Sequence, residues 1–325
     1  MNKRLMCVTM AAVGLMASAA AMAEAFDAKT VPADAKWVLH VDGLALQKSA
    51  VWPMIQQRLD SDPNIVQKIR EFRAITKISF PQDFFSLTIY GTSLEEKESV
   101  VIVRARADQQ QLLNLLQLNP GYAAEAFGTH DVLSWEDNGK VMFGAFADAD
   151  TAVISQSKQN VQNALSVRDG KAPALAADSG FAQLGDAGVM LGVAGHGVAE
   201  LAKKHKAESP IVNLIEAAWI TAGVDQQNVV LKAKVLTLDA QRAEQMRGAV
   251  EGLKNMAMLM IGNNKQDPRA EIVIGLLPAL SVTATGPAVQ LEWPLPIADV
   301  KRLVEAVRQQ KEKVASEPAT PAVAQ

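Results

Sequence analysis

The sequence predicts an α+β fold, built as two related units of mixed or antiparallel sheet with helices packed on one face. Three observations carry that expectation. Strand-like runs with period-two alternation are interleaved with segments whose apolar residues recur at helical spacing. Turn signals join neighbouring strand-like runs directly, which requires antiparallel pairing. The second half of the 325-residue chain also follows the order of elements of the first, without sharing its residues. Strands, helices and hairpins together give a sheet covered by helices, rather than a parallel doubly wound sheet.

The elements follow in order. Residues 36–46 (KWVLHVDGLAL) alternate as a strand, and residues 49–59 read as a helix with Ser49 as N-cap and Pro53 in its first turn. Pro63 interrupts, and residues 64–75 resume as an amphipathic helix through Ile65, Ile69 and Phe72. Residues 83–92 and 99–107 are strands, and Asp108 caps a helix that Asn119-Pro120-Gly121 ends. Within residues 132–146, LSWE and KVMF are joined through Asp137-Asn138-Gly139, where Asn-Gly supplies the positive φ angles of a tight hairpin. A strand at 152–155 leads into a helix at 158–167, and the Gly-, Ala-, Pro- and Asp-rich residues 169–186 read as a linker.

The second unit starts with a strand at 189–193, followed by helix over 198–222 broken at Ser209-Pro210. A strand at 228–238 precedes Asp239 and a helix, as the strand at 99–107 precedes Asp108. A hairpin spans 280–293, and a last helix runs over 299–313. The units are thus 24–168 and 187–314, with a disordered tail at 315–325 holding two prolines and no apolar periodicity. The landmarks of the two units are offset unequally, so a duplication would be diverged and carry insertions.

Lys3 and Arg4 open a basic n-region, and an uncharged Ala- and Met-rich run follows to Ala21-Met22-Ala23. This is the pattern of a secretory signal peptide cut after Ala23, or after Ala25 through the second Ala-x-Ala. The run is too rich in Ala, Ser, Thr and Gly to make a good membrane span. The single cysteine, Cys7, leaves with the signal, so the mature chain has no disulfide and no Cys-ligated metal or cluster. The expectation is a soluble periplasmic or secreted protein with no transmembrane span after cleavage, and with possible association to the cell envelope. At 49% hydrophobic, 21% charged and net charge −3, the composition excludes a disordered chain and argues against a nucleic-acid partner. Aromatic residues at 5% leave little for stacking platforms.

Four histidines bound the chemistry. His40 and Asp42 share one strand face and, with His130-Asp131, could supply a metal-ligand set; the bland alternative is a buried histidine and an Asp opening the turn at Gly43. The run Gly192–Gly197, with His196, could present amides to an anion, but it lacks the dinucleotide and P-loop spacings and reads better as a tight turn. Lys203-Lys204-His205-Lys206 reads as a solvated helix face. Met246, Met256, Met258 and Met260 could line a lipid or peptide groove, or else form a helix buried on several sides. No nucleophile elbow and no H-E-x-x-H motif occur.

Val31-Pro-Ala-Asp-Ala-Lys-Trp37 running into Val38-Leu-His-Val-Asp42 resembles the opening of a loose group of exported bacterial proteins of unknown function. The likeness extends in outline through Asn138-Gly139 and the strand and helix over 151–165. It implies export and tandem α+β units and carries no catalytic residue. The expected function is therefore a non-enzymatic binding or scaffolding protein of the periplasm or envelope, without cofactor, acting on a protein or small-molecule partner. Its binding surface is expected at the unit junction, over residues 169–195 and the strand end after His40, with His40, Asp42, His130 and His196 as candidate ligand-binding residues. Two alternatives stand beside it. One is a metal-dependent hydrolase using His40, Asp42 and His130. The other is a carrier of a lipid or other hydrophobic ligand, which requires an apolar cavity of several hundred cubic ångströms.

Overall fold

A computed structural model describes residues 25–176, 179–200, 212–262 and 268–316. Its strands are β1 (Trp37–Asp42), β2 (Phe84–Gly91), β3 (Ser99–Ala105), β4 (Ala123–Phe127), β5 (His130–Asp137) and β6 (Lys140–Phe146). They continue with β7 (Thr151–Ser155), β8 (Val189–His196), β9 (Ala217–Val224), β10 (Asn228–Leu236), β11 (Ser281–Thr285) and β12 (Ala288–Pro296). The helices are α1 (Gly43–Lys48), α2 (Trp52–Ser61), α3 (Pro63–Thr76), α4 (Gln109–Gln117) and α5 (Lys158–Arg168). α6 (Ala240–Gly262), α7 (Pro268–Leu276) and α8 (Ile297–Ser316) follow in the second half. The fold is α+β.

The strands form one sheet of twelve, ordered β11-β12-β10-β9-β8-β1-β2-β3-β7-β6-β5-β4, rather than a separate sheet for each half. The two halves meet where β1 pairs antiparallel with β8, from Trp37 opposite Gly195 to Val41 opposite Leu191. Side chains alternate across a strand, so the register assigns every residue to a face. Val38, Tyr90, Ile102 and Val153 lie on one face, and α5 packs there through Val161, Ala164 and Leu165, all fully buried. Leu39, Val41, Leu87 and Val101 lie on the other. Val235 and Val289 share that second face and receive Ala243 and Met246 of α6. Helices therefore cover both faces, because so broad a sheet has apolar residues on each.

Three of the residues expected to link two units, Leu175, Phe181 and Leu184, are part of the core. Leu175 donates its amide to Val31, at 2.8 Å, and Phe181 and Leu184 are buried beneath the sheet with Val38. Each such side chain contributes about 1.5–3 kcal/mol on leaving water. These side chains pack into the core at the junction.

Several elements depart from the sequence pattern for local reasons. The first strand stops at Asp42, whose carboxylate accepts from the amides of Leu44 and Ala45 and so starts α1. Ser49 is consequently the C-cap of α1, and the next helix begins at Trp52 without a side-chain cap. Residues 217–224 (AAWITAGV), of which 217–222 are expected as helix, form β9 because β8 and β10 flank them on both sides. The Ala-rich residues 123–127 likewise become β4 by pairing with β5. Both are cases where pairing overrides local propensity. The hairpin signals are accurate: Asn138 and Gly139 turn with φ of 53° and 74° between β5 and β6, and Gly286 turns between β11 and β12. The methionine-rich helix α6 is buried on one side only, with Met246 2% exposed and Met256 and Met260 at 50% and 67%. The basic cluster at 203–206 lies outside the described residues, as do the signal segment and the end of the tail. No helix among the described residues is long and apolar enough to cross a membrane.

Gly180 lies against the ring of Trp219, where an added Cβ would sit 2.0 Å from Cζ2. The tryptophan is 3% exposed and held by the core, so it cannot swing away. Gly180→Ala is expected to destabilise the protein by about 1–3 kcal/mol through overpacking. Urea unfolding followed by tryptophan fluorescence measures this, and an unchanged midpoint would contradict it.

Candidate functional site

A cavity lies on the sheet face that α3 and α4 cover. Asp108 starts α4 by accepting the amide of Gln111 at 3.0 Å. Three side-chain amides then hold this helix across the strands. Gln109 donates to the carbonyl of Asp148 at 2.6 Å, and Gln111 donates to that of Ile75 at 2.8 Å. At the far end Asn119 brackets Glu136, donating to its carbonyl at 2.8 Å and accepting its amide at 3.2 Å.

Held this way, α4 spans a cavity of about 610 Å³ instead of packing on the sheet. Its apolar stripe of Leu112, Leu115 and Leu116 forms the roof, and Phe72 and Ile75 of α3 form one wall. Val103, Ala152 and Ile154 lie in the floor, with Phe146 and Trp135 beside them. No residue of α4 is buried, whereas α5 on the opposite face buries four. Gly144 is needed here: a Cβ would stand 3.0 Å from Trp135 Cη2, so only glycine lets that ring lie flat on the neighbouring strand. The polar lining is sparse and includes Gln109, Asn119 and Thr151 besides the β5–β6 hairpin and Asp150. The volume falls within the range of small-molecule sites, and its apolar lining suits a hydrophobic ligand.

The histidine and aspartate candidates lie elsewhere and apart from one another. His40 and Asp42 do share a strand face and are 2% and 3% exposed. His40 Nδ1 pairs with Thr88 Oγ1 at 2.9 Å, and its ring meets Phe26 edge-on at 5.6 Å. Asp42 is the cap of α1. His130 is on β5, five strand positions from β1, which at roughly 4.8 Å per step is about 24 Å. It pairs with Asp169 at 3.1 Å, and Lys171 neutralises that carboxylate at 2.6 Å. His196 ends β8 in an aromatic cluster, its ring 4.8 Å from Phe181 and 5.6 Å from Trp219. The metal set of His40, Asp42 and His130 is therefore not assembled, and no group of three potential ligands comes together among the described residues. The helix stripe at Leu112, Leu115 and Leu116 was visible in the sequence, but nothing there showed that it roofs a void.

No family model matches the chain, and no curated protein matches it. Among solved structures, it is similar to TP0453 in crystal form III, at 8% identity and a TM-score of 0.49, covering 86% of this chain and 98% of that one. Crystal form I of TP0453 gives 8% identity and a TM-score of 0.48, covering 88% and 99%.

Burial lowers the His40 pKa to about 4, against the smaller opposing effect of the Asp42 charge. The unfolded chain then binds more protons than the folded one between about pH 6.5 and 4, so stability falls as pH falls through that window. His196 is shifted in the same direction, chiefly by burial. From pH 8 to pH 5 His40 is expected to account for roughly 2 kcal/mol of lost stability. His40→Asn should remove most of that slope; urea midpoints at the two pH values test it, and an undiminished slope would contradict the assignment.

Proposed function

We propose that this is an exported, non-enzymatic binding protein of the periplasm or cell envelope that holds a hydrophobic small molecule beneath α4. One observation carries the reading: an amphipathic helix turns its leucines toward a cavity of about 610 Å³ that the sheet floors with apolar side chains. A bare apolar void of this size loses packing contacts that a closed lid would recover. An apolar guest supplies them. The export half of the proposal rests on the basic, apolar and Ala-x-Ala pattern of residues 1–25 and on the resemblance of the opening segment to exported proteins. The tandem relation of the halves rests on their shared order of strands and helices.

The neutral, environment-sensitive dye N-phenyl-1-naphthylamine tests the site. It is expected to bind saturably, with a Kd on the order of micromolar, as suits a small apolar ligand in a preformed cavity. Ala152→Phe places a ring in the cavity floor and should weaken binding by at least about tenfold, while circular dichroism shows the fold retained. Absence of saturable binding, or equal binding by a folded variant, overturns the proposal.

A further inference from the structure

The charge around the cavity names the class of its ligand. The ionisable residues that line it are Glu136, Asp137 and Asp150, all acidic, and neither a lysine nor an arginine is among the lining residues. Asp137 stands at the end of β5 on the same strand face as Trp135, whereas Glu136 lines the cavity through its backbone, which the bracket from Asn119 fixes, and turns its side chain to the opposite face. Asp150 precedes β7 at the other border, its carbonyl accepting the amide of Ala105 at 2.8 Å.

Among basic residues near these borders, Lys77, between the lining residues Thr76 and Ile78, donates to the carbonyl of Ala74 at 3.1 Å, and three others pair with carboxylates outside the lining. Arg106 pairs with Asp83 at 3.5 Å and lies over the ring of Phe85 at 5.8 Å. Lys140, one residue past the hairpin turn, reaches Glu96 at 2.6 Å. Arg168 reaches Asp148 at 2.6 Å.

On the reading of this cavity as a ligand site, we propose that it selects amphiphiles with a positively charged polar end over anionic ones of the same chain. The apolar tail lies between the leucines of α4 and the floor, and the polar end lies at the acidic border. An anionic end placed there would leave water without a cationic partner and face carboxylates of its own sign. A quaternary ammonium meets complementary charge without giving up hydrogen bonds, since it has none to donate. Uncharged ends fall between the two.

Three amphiphiles with one twelve-carbon chain separate these cases: dodecyltrimethylammonium, dodecyl maltoside and dodecanoate. Each is used below its micelle concentration at pH 8 to displace N-phenyl-1-naphthylamine from the intact protein, with circular dichroism confirming the fold. The cationic compound should displace the dye at a concentration at least about tenfold lower than dodecanoate, and added salt should narrow that gap. Combining Asp137→Asn and Asp150→Asn should reduce the difference to less than about threefold, with the maltoside unchanged. Equal displacement by dodecanoate and dodecyltrimethylammonium, with the dye still bound in the cavity, overturns the charge selection and leaves the site standing. Failure of the dye itself to bind overturns the reading beneath it.

Discussion

The fold depends on β1 being paired on both edges. All six of its residues pair with β2 along one side and five, Trp37 to Val41, with β8 along the other, so one strand fuses the two halves into a single sheet. With no free edge, the strand places His40 and Asp42 in the interior, and each then needs a local solution. Asp42 uses the first amides of α1, an arrangement suited to a buried carboxylate. His40 stays neutral beside Thr88. Phe181 and Leu184 close the same region from one side.

The cavity follows from the breadth of that sheet. Twelve strands present apolar residues on two faces, and the helices must cover both. α5 does so by direct packing, with four of its residues buried. α4 does so at a distance, suspended by Gln109, Gln111 and Asn119 through hydrogen bonds from side-chain amides. Polar suspension fixes the ends of a helix without requiring its apolar stripe to touch the sheet. That difference in attachment makes one face a core and the other a chamber.

Much of the architecture was legible in the residues. Asn138-Gly139 announced its hairpin through the positive φ that the turn requires, and Asp108 announced the cap of the helix that roofs the cavity. The α+β class followed from such local signals. What could not be read were features decided by partners distant in sequence. Residues 217–222 carry an alanine-rich pattern that reads as helix, and only β8 and β10 make them a strand. The merging of both halves into one sheet depends on β1 and β8, which lie about 150 residues apart. The candidate histidines were judged by residue type, yet His40 and His196 are packed among rings and His130 is paired with Asp169. The chamber itself left only an amphipathic stripe at Leu112, Leu115 and Leu116, which a packed helix would show equally.

A crystal structure of the protein, purified without detergent and soaked with dodecyltrimethylammonium, tests the central claim most directly. The account predicts continuous density for the alkyl chain between Leu115 and the floor at Ala152 and Ile154, with the ammonium at the border marked by Asp137 and Asp150. A helix α4 collapsed onto Trp135 and Phe146, with no chamber and no bound chain, would contradict it.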